Sequence, residues 1–253
     1  MKAKRQEEKM RERDLDLEFS PNSEREYQYG FDVLARKMLL RRWSGLIVRE
    51  GKSLEMGSFD GSMTELLMEH VSFLDVVEGS AELSAQVRGR LGSRVRVIHS
   101  WFEEFEPSQK YDQIFLVHAL EHVDDPVLVL KRAASWLTTG GRLLVAVPNA
   151  NALSRQIAVK MGVVKSLQAV TEGERKHGHK RTYSLDTLTA DFKEAGVTVI
   201  DSGGVILKPL SNSQFDSALN ANIVSEEYLL ACDDLAKIWP DFSASVFVVA
   251  TGS

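Results

Sequence analysis

From residue 53 onward the chain repeats one unit, a short apolar run rich in β-branched residues followed by a turn and a stretch with helical spacing. The runs cover residues 53–56, 73–78, 95–100, 111–118 and 142–148, and GSMTELLMEH, SAELSAQVRGRLG and DPVLVLKRAASWLTTGG lie between them. Continuous apolar strands alternating with helices predict βαβ units, hence a parallel sheet covered by helices on both faces. The third connection, WFEEFEPSQK, reads as mostly loop. Asp125-Pro126 supplies a cap and an N1 proline for a helix that Gly140-Gly141 is expected to stop. Ser184 with Thr187 opens another helix, ending at Gly196, and strands are predicted at 197–201, resuming at 205–207, and at 245–251.

Charge divides the chain unevenly. Of the 31 basic and 36 acidic residues in 253, the first 50 residues hold 12 and 10, and the rest hold 19 and 26, a net of −7. Residues 1–20 carry twelve charged side chains against six apolar ones and are expected to be a disordered or solvated tail. Residues 21–253 are then expected to form one domain, with helices at 21–50 and insertions at 149–183 and 208–243.

Several functions are disfavoured. A net charge of −5 argues against gripping nucleic-acid backbones, and Cys232 as the single thiol allows neither a disulfide framework nor a cysteine zinc site. No apolar run approaches the roughly 20 residues a membrane span needs, and the N-terminus lacks a signal-type apolar core. A cytoplasmic location is expected.

The first strand runs into Glu55-Met56-Gly57-Ser58-Phe59-Asp60-Gly61, a glycine turn at the carboxyl edge where open α/β sheets bind ligands. It is neither G-x-G-x-x-G nor a P-loop, which disfavours a pyrophosphate cradle. Glu55 is suited to attracting an amino group. Glu78-Gly79 ends the second strand, where a carboxylate has two oxygens to offer a ribose.

This succession, Glu55-x-Gly57-x-x-x-Gly61, Glu78, Tyr111-Asp112, HALEHVDDP and LTTGGRLLVAVPN, resembles the class I S-adenosylmethionine-dependent methyltransferases, nearest their ubiquinone-biosynthesis-like (type 11/12) group. The likeness spans residues 50–150 and returns at 177–201. It implies a doubly wound, seven-stranded, mostly parallel Rossmann-like sheet with a reversed C-terminal strand. It also implies that S-adenosyl-L-methionine lies against Gly57, Ser58, Phe59 and Gly61, with Glu78 and Gly79 at its ribose, Ser100 and Trp101 at its adenine and His118 at its methionine. Phe59 departs from the glycine usual there.

Methyl transfer to a hydroxyl needs a proton acceptor, a role suited to His122, His177 or His179. The basic loop at 175–181 suggests an anionic small-molecule acceptor, and oxygen is the expected target. The residues leave open a lid carrying Asn149, Asn151 and Arg155, and closure by Tyr27, Tyr29 and Phe31. No metal is expected, since no carboxylate and histidine pair has helical ligand spacing. The alternatives are a nicotinamide-dependent oxidoreductase and a non-catalytic binding module with a methyltransferase-like fold.

Overall fold

A computed structural model describes residue 15 and residues 30–252. In chain order the elements are α1 (Gly30–Trp43), β1 (Lys52–Met56), α2 (Ser62–His70), β2 (Phe73–Glu78), α3 (Ala81–Leu91), β3 (Arg96–His99) and β4 (Tyr111–Val117). Then follow α4 (Pro126–Ser135), β5 (Leu137–Pro148), α5 (Leu153–Lys160), α6 (Glu172–Lys176), α7 (Leu185–Glu194), β6 (Thr198–Leu207), α8 (Asn212–Asn220), α9 (Glu226–Ile238) and β7 (Ser243–Thr251). All seven strands join one sheet in the order β3-β2-β1-β4-β5-β7-β6. Only β7 runs against its neighbours. The expected doubly wound sheet with a reversed last strand is the observed one.

Strand periodicity splits the core into two layers. Along β4, Ile114 and Leu116 point into a cluster with Val129, Leu188 and Phe192, while Phe115 points the other way, toward Trp43, Leu67 and Val249. Burial of both faces explains why these strands are apolar without alternation. Trp43 is fully buried and packs edge-on against Phe247, with ring centroids 6.1 Å apart. It anchors α1 across the sheet, and α8 holds the other end: Phe31 N–H donates to Asp216 at 3.2 Å, and Asn212 donates to Asp32 at 2.8 Å.

Two boundaries differ from the sequence expectation. α4 begins as expected, with Asp125 accepting from Leu128 N–H and Pro126 at its start, but it stops at Ser135 rather than at the glycine pair. Leu137 pairs with Tyr111 and already belongs to β5. Gly140 takes φ 77°, so the pair bends the strand entrance, and a Cβ on Gly141 would meet the Tyr111 carbonyl at 3.0 Å. In the second case, the interrupted strand at 197–207 is continuous. A register shift between Val199 and Asp201 absorbs the polar residues on this edge strand.

Candidate active site

The carboxyl edge of the sheet opens into a cavity of about 500 Å³, within the size range of small-molecule sites. It lies where the chain leaves β1 in one direction and β4 in the other, the switch point of the strand order.

The glycine turn forms one wall. Gly57, Phe59 and Gly61 take φ of 85°, 49° and 81°. Phe59 therefore adopts the left-handed backbone that its usual glycine would supply, at the cost such a conformation carries for a bulky residue. The compensation is visible: Glu78 accepts from Ser58 N–H at 3.0 Å and Phe59 N–H at 3.1 Å through Oε2, and from Ser80 N–H at 3.0 Å through Oε1. Glu78 thus ties the turn after β1 to the turn after β2. Burial raises its pKa against the opposing pull of these donors.

Glu55 occupies a different place from the one expected. It does not line the cavity; it lies beneath the turn, 1% exposed, and accepts from Thr64 Oγ1 at 2.6 Å through Oε2 while its Oε1 has no hydrogen-bond partner. Burial pushes its pKa up to about 8. A carboxyl that is neutral when folded and ionised when unfolded costs stability as pH rises from its unfolded value toward its folded one. Glu55→Gln should accordingly melt higher than the wild type at pH 7.5 and alike at pH 4.5, as read by thermal unfolding at the two pH values.

Of the other expected cofactor residues, Gly57, Ser58, Phe59, Glu78, Gly79, Trp101 and His118 border the cavity, and Gly61 and Ser100 do not. Gly61 instead packs beneath the turn, where an added Cβ would meet Val87 at 3.3 Å. Ser100 bonds along its own backbone, donating from Oγ to the Trp101 carbonyl. Leu15 also reaches the cavity beside Gly79, while Tyr27 and Tyr29 lie outside the described residues. Phe31 is buried against Phe215 and still borders the cavity.

Another part of the cavity lining is built from histidines. His118 has φ 51° after β4 and contacts Ser245 Oγ at 3.1 Å through Nε2. Desolvation first, then Arg36 and His179, push its pKa down to about 3, so the ring is neutral. His122 and His179 meet edge to face with centroids 4.7 Å apart, and His177 borders the same space. Between them lies Glu121, 2% exposed, with neither carboxylate oxygen hydrogen-bonded and a pKa that burial pushes up to about 8. One ligand atom from each of Glu121, His122 and His179 falls within 4.8 Å of the others, an arrangement that could hold a divalent cation. Helical spacing gave no sign of this grouping, because His179 arrives from a distant loop.

Of the expected lid residues Asn149 and Arg155 line the cavity and Asn151 does not, and the polar groups of the lid and the basic loop are largely taken up by internal bonds. Arg181 donates to the carbonyls of Leu120, Val123 and Asp124, Lys180 pairs with Asp124, and Lys176 pairs with Glu172. Arg155 clamps α6 through Glu174 at 2.6 Å and donates to the Leu167 and Ala169 carbonyls. Asn149 donates to the carbonyls of Asp241 and Ser243 and accepts from Asn151 N–H. The sequence reading missed Arg36, which contacts Ser62 Oγ at 2.5 Å, and Lys208, which follows β6; both line the cavity. Neither belongs to a motif, so no local signal marked them.

This fold and cavity define a Rossmann-like methyltransferase architecture, and comparison with known proteins carries the assignment further. Residues 25–202 match the family model for the methyltransferase domain. The chain is 26% identical over 205 residues to the ubiquinone biosynthesis O-methyltransferase of Vibrio parahaemolyticus, with 79% of this chain and 83% of that protein covered. It is also 26% identical over 228 residues to that of Pseudoalteromonas translucida, with 88% and 90% covered. Among solved structures it resembles a SAM-dependent methyltransferase from Thermotoga maritima (TM-score 0.60, 19% identity, 88% and 92% covered). It resembles as well the N-methyltransferase NodS from Bradyrhizobium japonicum in complex with S-adenosyl-L-homocysteine (TM-score 0.59, 15% identity, 93% and 95% covered). The chain belongs to the methyltransferase-domain family and is a SAM-dependent methyltransferase. No helix among the described residues is long and apolar enough to cross a membrane.

Proposed function

We propose that this enzyme binds S-adenosyl-L-methionine in the cavity and methylates an oxygen of a small, anionic acceptor. The observation that carries this reading is the Glu78 tether. It fixes a turn of three left-handed residues at the cavity wall and presents a carboxylate there. Oε2 already accepts from Ser58 N–H, Ser58 Oγ and Phe59 N–H, whereas among the described residues Oε1 accepts only from Ser80 N–H, so its second lone pair is the one suited to a ribose hydroxyl. Trp101 and Phe102 offer apolar surface for an adenine, and Arg36, beside the glycine turn, suits the methionine carboxylate. The cofactor supplies a methyl group on a sulfonium, already activated by its charge.

The chain's own residues then have three tasks: to orient the acceptor, exclude water and take a proton from its hydroxyl. His179 suits the last task. Burial first, then His177 and Arg155, outweigh Glu174 and hold its pKa below the ordinary histidine range, so at neutral pH its ring is free of the second proton and can accept one. His122 and His177 stand beside it. Curated relatives named as O-methyltransferases support oxygen as the target.

The Glu121–His122–His179 cluster supports a second reading of the same step, in which a divalent cation held there lowers the pKa of the acceptor hydroxyl. Calorimetry with S-adenosylmethionine, S-adenosylhomocysteine and NAD tests the cofactor. We expect binding of the first two and none of NAD; binding of NAD alone would overturn the assignment of the cavity.

A further inference from the structure

With the basic loop at 175–181 largely committed to its own carbonyls and carboxylates, the demand for a cation facing the acceptor falls on Lys208. Its residue is 4% exposed, borders the cavity, and makes one hydrogen bond among the described residues, from Nζ to the Leu210 carbonyl at 2.8 Å. An ammonium has three protons to donate. The ammonium also lies over the face of Phe31, 4.9 Å from Nζ to the ring centroid. Among the described residues no carboxylate lies within ion-pair distance; Asp32 acts on it at longer range and takes a hydrogen bond from Asn212. A buried charge left without a counter-ion is costly, and proteins retain one where a bound group completes it.

Position separates this cation from the cofactor. Four inter-strand steps, roughly 19 Å at the usual strand spacing, lie between β1, which carries the glycine turn, and β6, which leads into Lys208. Arg36 stands beside the glycine turn, whereas Lys208 is at the far end of the same edge, next to the start of α5, where Ser154 N–H donates to its carbonyl. The two cations therefore have different neighbours in one cavity, Ser62 after the glycine turn for Arg36 and Phe31 and the Leu210 carbonyl for Lys208.

We propose that Lys208 is the residue that recognises an anionic oxygen group, a carboxylate or a phosphate, on the methyl acceptor, and so determines acceptor specificity. This rests on the methyltransferase reading of the cavity. Burial pushes the Lys208 pKa down to about 8, which leaves the ammonium the majority form at pH 7.

The test uses the full chain loaded with S-adenosylhomocysteine and three probes of one shape: benzoate, phenyl phosphate and benzyl alcohol. At least one anion is expected to bind ten times more tightly than the alcohol, and which anion does so distinguishes carboxylate from phosphate. Lys208→Met should abolish that preference without altering S-adenosylhomocysteine affinity. Arg175→Met, on the exposed loop, should keep the preference. Lys208→Gln serves as a second variant if the methionine variant folds poorly. Equal binding of all three probes overturns the proposal, as does a preference that survives at position 208 or a tenfold loss of S-adenosylhomocysteine affinity in Lys208→Met. Failure of the wild type to bind S-adenosylhomocysteine at all would instead overturn the reading of the cavity beneath it.

Discussion

Glu78→Ala is expected to weaken S-adenosylmethionine binding by at least about 100-fold, about 2.8 kcal/mol, measured by calorimetry. The variant removes the acceptor of three backbone N–H groups at once, those of Ser58, Phe59 and Ser80. Hydrogen bonds to a charged group contribute roughly 1.5–3 kcal/mol each, and a buried donor left without its partner costs about 1–3 kcal/mol. Phe59 is the weak point. Its left-handed backbone is held by the N–H bond to Glu78, so the turn should relax away from the cavity. Glu78→Gln keeps an acceptor oxygen but loses the charge, and should fall between the two, near tenfold. The pH dependence separates charge from shape. Burial raises the Glu78 pKa, so wild-type affinity should weaken as acid protonates the carboxylate, while the glutamine variant stays flat.

The turn was readable in advance because its demands are local. Glycines at 57 and 61 after an apolar run announce a ligand-binding turn at a strand end; the acid closing the next strand reads as a ribose ligand, and its bonds to the turn appear only in the fold. The parallel strands followed the same logic, since strands buried on both faces leave continuous apolar runs. The errors lie where tertiary pairing decides. Trp136 and Leu137 have helical neighbours in sequence, yet the pairing of Leu137 with Tyr111 takes the chain into β5. Glu55 reads as a ligand carboxylate by position, but its side chain points away from the edge, to Thr64.

The acceptor side was less readable for a related reason. A cluster of arginines, lysines and histidines at 175–181 signals positive charge, but sequence does not reveal which charges the fold will consume. Arg181 is consumed by three carbonyls, whereas Lys208 makes one hydrogen bond among the described residues. The histidines read as candidate bases, and a metal site among them is disfavoured for want of helical spacing. Their convergence on Glu121 depends on Lys180 N–H bonding to the Glu121 carbonyl, a contact across 59 positions that draws the loop onto the end of β4.

That convergence makes His179→Ala the second large effect: methyl transfer to a hydroxyl acceptor should fall by roughly 100-fold or more, the usual contribution of a general base. Cofactor affinity should change little, because His179 takes no part in the hydrogen bonds of the Glu78 tether. If the ring acts as the base, the wild-type kcat/KM rises with pH through a midpoint below 6.5, as burial requires, and the alanine variant loses that limb. Glu121→Gln then costs little and chelation nothing. If instead a cation is held by Glu121, His122 and His179, Glu121→Gln should cost as much as His179→Ala, and a chelator should abolish transfer until Zn²⁺ or Mn²⁺ is restored. The folded Glu121 carboxyl, with its pKa at about 8, must give up a proton to ligate, so metal affinity in that case should climb steeply from pH 6 to pH 8. A rate unchanged in His179→Ala with a turned-over hydroxyl acceptor would remove this residue from the reaction under either reading.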